Sequence, residues 1–87
     1  MLMRATSTPD HNGLTALQQR VAREIVALVR RENRQRGDHL REVELSERIG
    51  TSRSPVQVAL RFLAQEGVVQ QDINRGYFMV KDAAQWD

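Results

Sequence analysis

The sequence predicts a mainly α fold with a small β-hairpin: three helices and then a two-stranded wing, the order of a winged helix-turn-helix. Three observations predict it. Apolar residues recur at helical spacing in three stretches before Gly67. The second stretch stops at Gly50 and the third opens at Ser52, so only a tight turn fits between them. After Gly67 come two short runs rich in Val, Tyr and Phe, with a polar turn between them.

Residues 1–13 read as a disordered lead-in, with Thr6 to Asp10 and Asn12-Gly13 as turn formers. The first helix is expected from Leu14 to about Arg36. Its stripe is Leu14, Leu17, Val21, Ile25, Leu28 and Val29, and Thr15 is available as a cap. Arg34 and Arg36 suit the negative end of its dipole, and Gly37 is the expected stop. A second helix is expected from Glu42 to Ile49, with Leu45 and Ile49 inward and Glu42 and Glu44 in its first turn. Ser52 is the expected N-cap of the third helix, which runs to about Glu66; Pro55 is tolerated in a first turn. Val56, Ala59, Leu60 and Leu63 form its buried stripe. The strands are expected at 68–71 and 77–80, with the turn at 72–76, and Phe78 counted in the core. The folded unit is thus expected over 14–81. Residues 82–87 read as the start of a linker or of a further helix, with Trp86 exposed or packed on a missing domain.

A chain of 87 residues is one domain or a piece of a larger protein, and one this small is marginally stable alone. No run approaches the length of a membrane helix, and the first residues lack the apolar core of a signal peptide. With no cysteine, there is no disulfide framework and no thiolate metal site. These features point to a cytoplasmic protein. The net charge is only +2, but the 13 basic residues are 12 Arg and one Lys. Arginine is the side chain that forks onto phosphates and guanine edges.

The third helix carries the chemistry that suits DNA. Its N-terminus offers free amides and positive dipole to a phosphate. Ser52 and Ser54 add hydroxyls there, and Arg53 stands where a helix entering the major groove meets base edges. Gln57, one turn on, has the amide for a bidentate contact with adenine. Arg61, a further turn away, is suited to the backbone. Asn74 and Arg75 at the hairpin tip are suited to the neighbouring groove.

Residues Glu44 to Val56, then Ala59-Leu60-Arg61, Leu63 and Glu66-Gly67, make the sequence resemble the DNA-binding domain of GntR-type bacterial transcription regulators. Arg75-Gly76-Tyr77-Phe78 is similar to the family's wing, and the likeness spans about Leu14 to Val80. The approach Leu40 to Leu45 is similar to the FadR-like subgroup. The resemblance implies a metabolite-responsive regulator that binds double-stranded DNA at a palindromic operator as a homodimer. Its small-molecule effector would bind a C-terminal domain absent from this segment. It also implies DNA contacts at Arg53 and around Gly76. The family usually has Arg where Val43 and Gln57 stand, which suggests a different operator.

Other residues read more plainly. Arg20, Arg23, Arg30 and Arg31 suit a solvated helix face. His11 and His39 have no clustered partners for a metal, and no cofactor is expected in this segment. No nucleophile set, phosphate loop or paired carboxylate is visible, so an enzyme is not expected. The alternative reading is a winged-helix protein-interaction module, in which Arg53 meets an acidic partner.

Overall fold

The computed structural model describes residues 13–86; the expected lead-in, His11 included, lies outside them except for Gly13. In chain order the elements are α1 (Ala16–Arg31), β1 (His39–Leu40), α2 (Glu42–Ile49), α3 (Arg53–Gln65), β2 (Val69–Asp72) and β3 (Gly76–Met79). A 3-10 turn, Ala83–Gln85, is the last element among the described residues. The sheet has three strands rather than two, in the order β1-β3-β2, and both pairings are antiparallel.

Helix α1 starts where its side chains dictate. Thr15 Oγ1 accepts from the Gln18 amide and Gln18 Oε1 accepts from the Thr15 amide, a reciprocal capping box. The helix ends five residues before the expected Arg36. Asn33 takes the left-handed conformation (φ 51°). Its N–H then bonds to the Arg30 carbonyl and that of Arg34 to the Val29 carbonyl. That is a Schellman stop built on asparagine, which tolerates this region better than most residues. Gly37 instead lies in the turn leading to β1, where its N–H donates to the Met79 carbonyl. Leu17, expected in the stripe, is half exposed, while Leu14 just ahead of the helix is buried.

Val21, Ile25 and Val29 of α1 meet Leu45 of α2 and Val56 and Leu60 of α3 in one core. Each fully buried aliphatic side chain contributes about 1.5–3 kcal/mol relative to exposure. On β3 the strand period puts Tyr77 and Met79 into this core and leaves Phe78 half-buried on the other face, not in the core as expected. Both hairpin strands are displaced by one residue from the expected ranges, and the register pairs Val69 with Met79 and Asp72 with Gly76.

The C-terminal segment also departs from expectation. Ala83 and Trp86 are buried within this domain. The Ala83 amide donates to the Arg34 carbonyl at 2.8 Å, and the Arg36 amide to Asp82 Oδ1 at 2.8 Å. The Trp86 indole donates to the Lys81 carbonyl at 3.2 Å, and Arg30 donates to the Trp86 carbonyl. Arg30 is therefore a tie between α1 and this segment, not only a solvated residue.

Candidate nucleic-acid interface

The start of α3 has unspent hydrogen-bonding capacity. Ser52 occupies the N-cap position with extended backbone (φ −73°, ψ 171°), but its hydroxyl makes no capping bond. Part of the reason lies in the sequence. An N-cap oxygen bonds to the amide two or three residues on, and the third residue on is Pro55, which has no N–H. Ser52, Arg53 and Ser54 are all exposed. First-turn amides have no acceptor within their own helix, so this end of α3 can seat an anion.

Beside it lies an open cleft of about 380 Å³, walled by residues 39–43, Arg53, Arg75 and Gly76. Elements far apart in sequence meet here: the β1–α2 junction, the start of α3 and the wing. Arg53, with 60% of its side chain exposed, holds Nη2 4.0 Å from Glu42 Oε1. The same oxygen accepts a hydrogen bond from Gln57 Nε2 at 3.0 Å. Arg75, 69% exposed, has Nε 3.4 Å from Asp72 Oδ2. Its guanidinium lies 5.5 Å above the centre of the Phe78 ring. At these separations and exposures both pairings are weak, and both arginines are available to a stronger anion.

The wing is shaped for close approach. The Asn74 amide donates to Asp72 Oδ1 at 3.3 Å, which tightens the tip. Gly76 has φ 101°, and a Cβ there would lie 2.9 Å from His39 Nε2. Only glycine fits that combination. The His39 ring stacks on Phe78 with centroids 4.5 Å apart, which fixes β1 against the wing.

Of the sequence-predicted residues, Arg53, Arg75 and Gly76 share the cleft, and Gln57 joins them through Glu42. Ser52 and Ser54 flank it on α3. Asn74, at the exposed tip, and Arg61 do not line it. Arg61 borders the start of α1 beside Leu14 and Gln18. Burial pushes the Tyr77 hydroxyl up from its ordinary pKa; the Arg61 charge opposes that shift and the Glu42 charge adds to it.

Sequence reasoning passed over several residues. Arg41 and His39 line the cleft with Arg53 and Arg75. Val43, noted in the sequence only for standing where the family usually has Arg, is also in its wall and is 47% exposed, and Ile73 at the wing tip is 91% exposed. The available signals were an isoleucine inside a polar turn and a valine off the Leu45–Ile49 stripe. Glu42 was read only as a first-turn residue of the second helix, and nothing local in the sequence reveals its contact with Gln57. Among the described residues no group of His, Asp and Glu side chains is arranged to hold a metal, and no helix is long and apolar enough to cross a membrane.

A family model, "Bacterial regulatory proteins, gntR family", matches residues 17–79. Two solved structures are similar. The structure of Streptococcus agalactiae GntR superposes with a TM-score of 0.69 at 23% identity, over 72% of this chain and 31% of that one. The possible transcriptional regulator YydK from Bacillus subtilis superposes with a TM-score of 0.67 at 28% identity, over 77% of this chain and 30% of that one. The chain therefore spans about a third of the length of either. No curated protein matches the chain.

Proposed function

The chain belongs to the GntR family of bacterial regulatory proteins, and from that premise we propose how this DNA-binding regulator domain reads its target. Helix α3 enters the major groove by its N-terminus. Ser52 and Ser54, with the free amides of the first turn, hold a backbone phosphate. Arg53 reaches a base edge, Gln57 reads the next one, and Arg61 follows the backbone. The wing, at Asn74, Arg75 and Gly76, meets the adjacent groove or backbone.

The observation that carries this reading is the shared cleft. Arg53 from α3 and Arg75 from the wing face one space, each exposed and loosely paired. A DNA strand passing between recognition helix and wing meets both side chains, Arg53 by its base edges and Arg75 by its backbone. The rest of the proposal concerns the whole regulator: a homodimer on a palindromic operator, of the FadR-like subgroup, acting in the cytoplasm. It answers to a small-molecule effector bound by a C-terminal domain.

The test is selection of bound sequences from a random duplex pool, followed by titration of the selected site. Arg53→Ala is expected to weaken that site about 10- to 100-fold. Unchanged affinity would remove Arg53 from the recognition surface.

A further inference from the structure

Both candidate reading side chains of α3 converge on one carboxylate oxygen, Glu42 Oε1. Gln57 Nε2 is 3.0 Å from it and Arg53 Nη2 is 4.0 Å from it. Glu42 belongs to α2, fifteen residues from Gln57 in the chain. Its side chain is only 26% exposed, and that of Arg53 is 60% exposed. The stronger of the two contacts therefore goes to the half-buried amide, not to the arginine.

The consequence is chemical. A carboxylate only accepts hydrogen bonds, whereas a glutamine amide has a donating end and an accepting end. Beside Glu42 only the NH2 end of Gln57 is tolerated; the reversed amide would set two oxygens against each other. The amide is thus held in one of its two orientations, and Oε1 and one amide hydrogen remain for a base. In the major groove adenine and guanine share the N7 acceptor but differ at position 6. Adenine has a donating amino group there and guanine an accepting oxygen. An amide fixed in one orientation distinguishes them, and an amide free to turn over serves both.

We propose that Glu42 is a positioning residue that confers purine discrimination on Gln57 by fixing the orientation of its amide. This rests on the reading of α3 given above and deepens it. Glu42 itself makes no base contact in this account; it acts through Gln57.

The experiment is the same selection from a random duplex pool, run with the 87-residue chain and with Glu42→Gln, Gln57→Ala and the double variant. Glu42→Gln keeps size and shape, but its own amide can donate or accept, so the constraint on Gln57 is lost. The quantity read is the adenine-to-guanine ratio at each position. That ratio compares two DNAs bound by one protein sample, so it does not depend on how much of a variant is folded. The parent chain is expected to show a preference of about tenfold or more at one base pair of the site, absent in Gln57→Ala. Glu42→Gln is expected to cut that preference to about twofold at that base pair and leave the others as they were. The double variant is expected to match Gln57→Ala there, because Glu42 has nothing left to position. A preference kept in Glu42→Gln, one lost equally at every position, or no base pair dependent on Gln57 would each overturn the proposal while DNA reading by α3 stands. Failure of the parent chain to select any sequence would overturn both.

Discussion

The end of α1 and the face formed by α3 and the wing are built from the same residue type, used in opposite ways. At the end of α1, Arg34 has only 13% of its side chain exposed and is fully engaged. Its guanidinium lies 2.9 Å from Glu32 and 3.3 Å from Glu44, and donates to the His39 carbonyl at 3.3 Å. Arg48 pairs with Glu32 and lies 3.5 Å from Glu44. Two arginines and two glutamates thus clip α1 to α2. At α3 and the wing Arg53 and Arg75 are 60% and 69% exposed, with partners at 4.0 and 3.4 Å. An arginine committed to several acceptors is part of the scaffold; one held loosely at the surface is available to a ligand. A count of arginines cannot separate the two cases, whereas the number and distance of their partners does.

The largest effect expected from this contrast is on folding. Arg34→Ala removes charge-assisted hydrogen bonds to two glutamates and a carbonyl and is expected to cost about 2–3 kcal/mol of stability. Urea unfolding measures it. DNA affinity per folded molecule should stay within about threefold. A stability loss below about 0.5 kcal/mol, the scale of an ordinary surface substitution, would place Arg34 with the loose arginines instead.

Arg53→Ala should behave in the opposite way. Its expected loss of operator affinity, about 10- to 100-fold, corresponds to about 1–3 kcal/mol of binding. Its stability should change by no more than about 0.5 kcal/mol, because the side chain is exposed and its pairing long. Destabilisation comparable to that of Arg34→Ala would break the division between scaffold and reading arginines.

Arg75→Ala sharpens the division within the proposed reading face. An arginine that meets phosphate contributes equally to all sequences. Its loss should reduce the slope of log affinity against log salt by about 0.9 and leave base preferences as they were. A changed base preference with an unchanged slope would make Arg75 a groove reader.

How far the sequence revealed this arrangement differs between the regions. The boundaries of α2 and the stripe of α3 were legible because both are local: Leu45, Val56, Ala59, Leu60 and Leu63 repeat at helical spacing, and all are buried. The end of α1 was misjudged because the stop is Asn33 rather than a glycine, and asparagine carries the left-handed turn without announcing it. Strand β1 escaped notice because two residues cannot display a period; His39 and Leu40 are strand only through pairing with Phe78 and Tyr77. Trp86 was read as exposed or packed on a missing domain because its burial in this domain depends on contact with α1, 56 residues away at Arg30. The candidate site divides in the same way. Ser52, Arg53 and Ser54 follow from a helix start, but the meeting of Arg53 with Arg75, and of Glu42 with Gln57, is tertiary.

The smallest effect expected concerns the clip and pH. The Arg48 guanidinium, and after it that of Arg34, hold the Glu32 carboxyl below its ordinary value of 4.5. A carboxyl whose pKa is lower in the folded state binds protons more readily when the chain unfolds. Its stabilising contribution is therefore complete above the ordinary value and is lost as the pH falls through the lowered one. Glu32→Gln should accordingly melt below the parent at pH 7. The gap should be constant down to about pH 5 and close as the pH falls below the ordinary glutamate value, since the parent then carries a protonated, uncharged side chain as well. Raised salt should narrow the neutral-pH gap, because the carboxylate lies at the surface where ions screen it. Thermal melts across pH 3–7 at low and high salt measure both effects. A gap that persists at pH 3 would mean that Glu32 acts through the shape and packing of its side chain. The clip would then owe less to charge than the distances around Arg34 and Arg48 indicate, and the contrast with the loosely paired Arg53 and Arg75 would rest on burial alone.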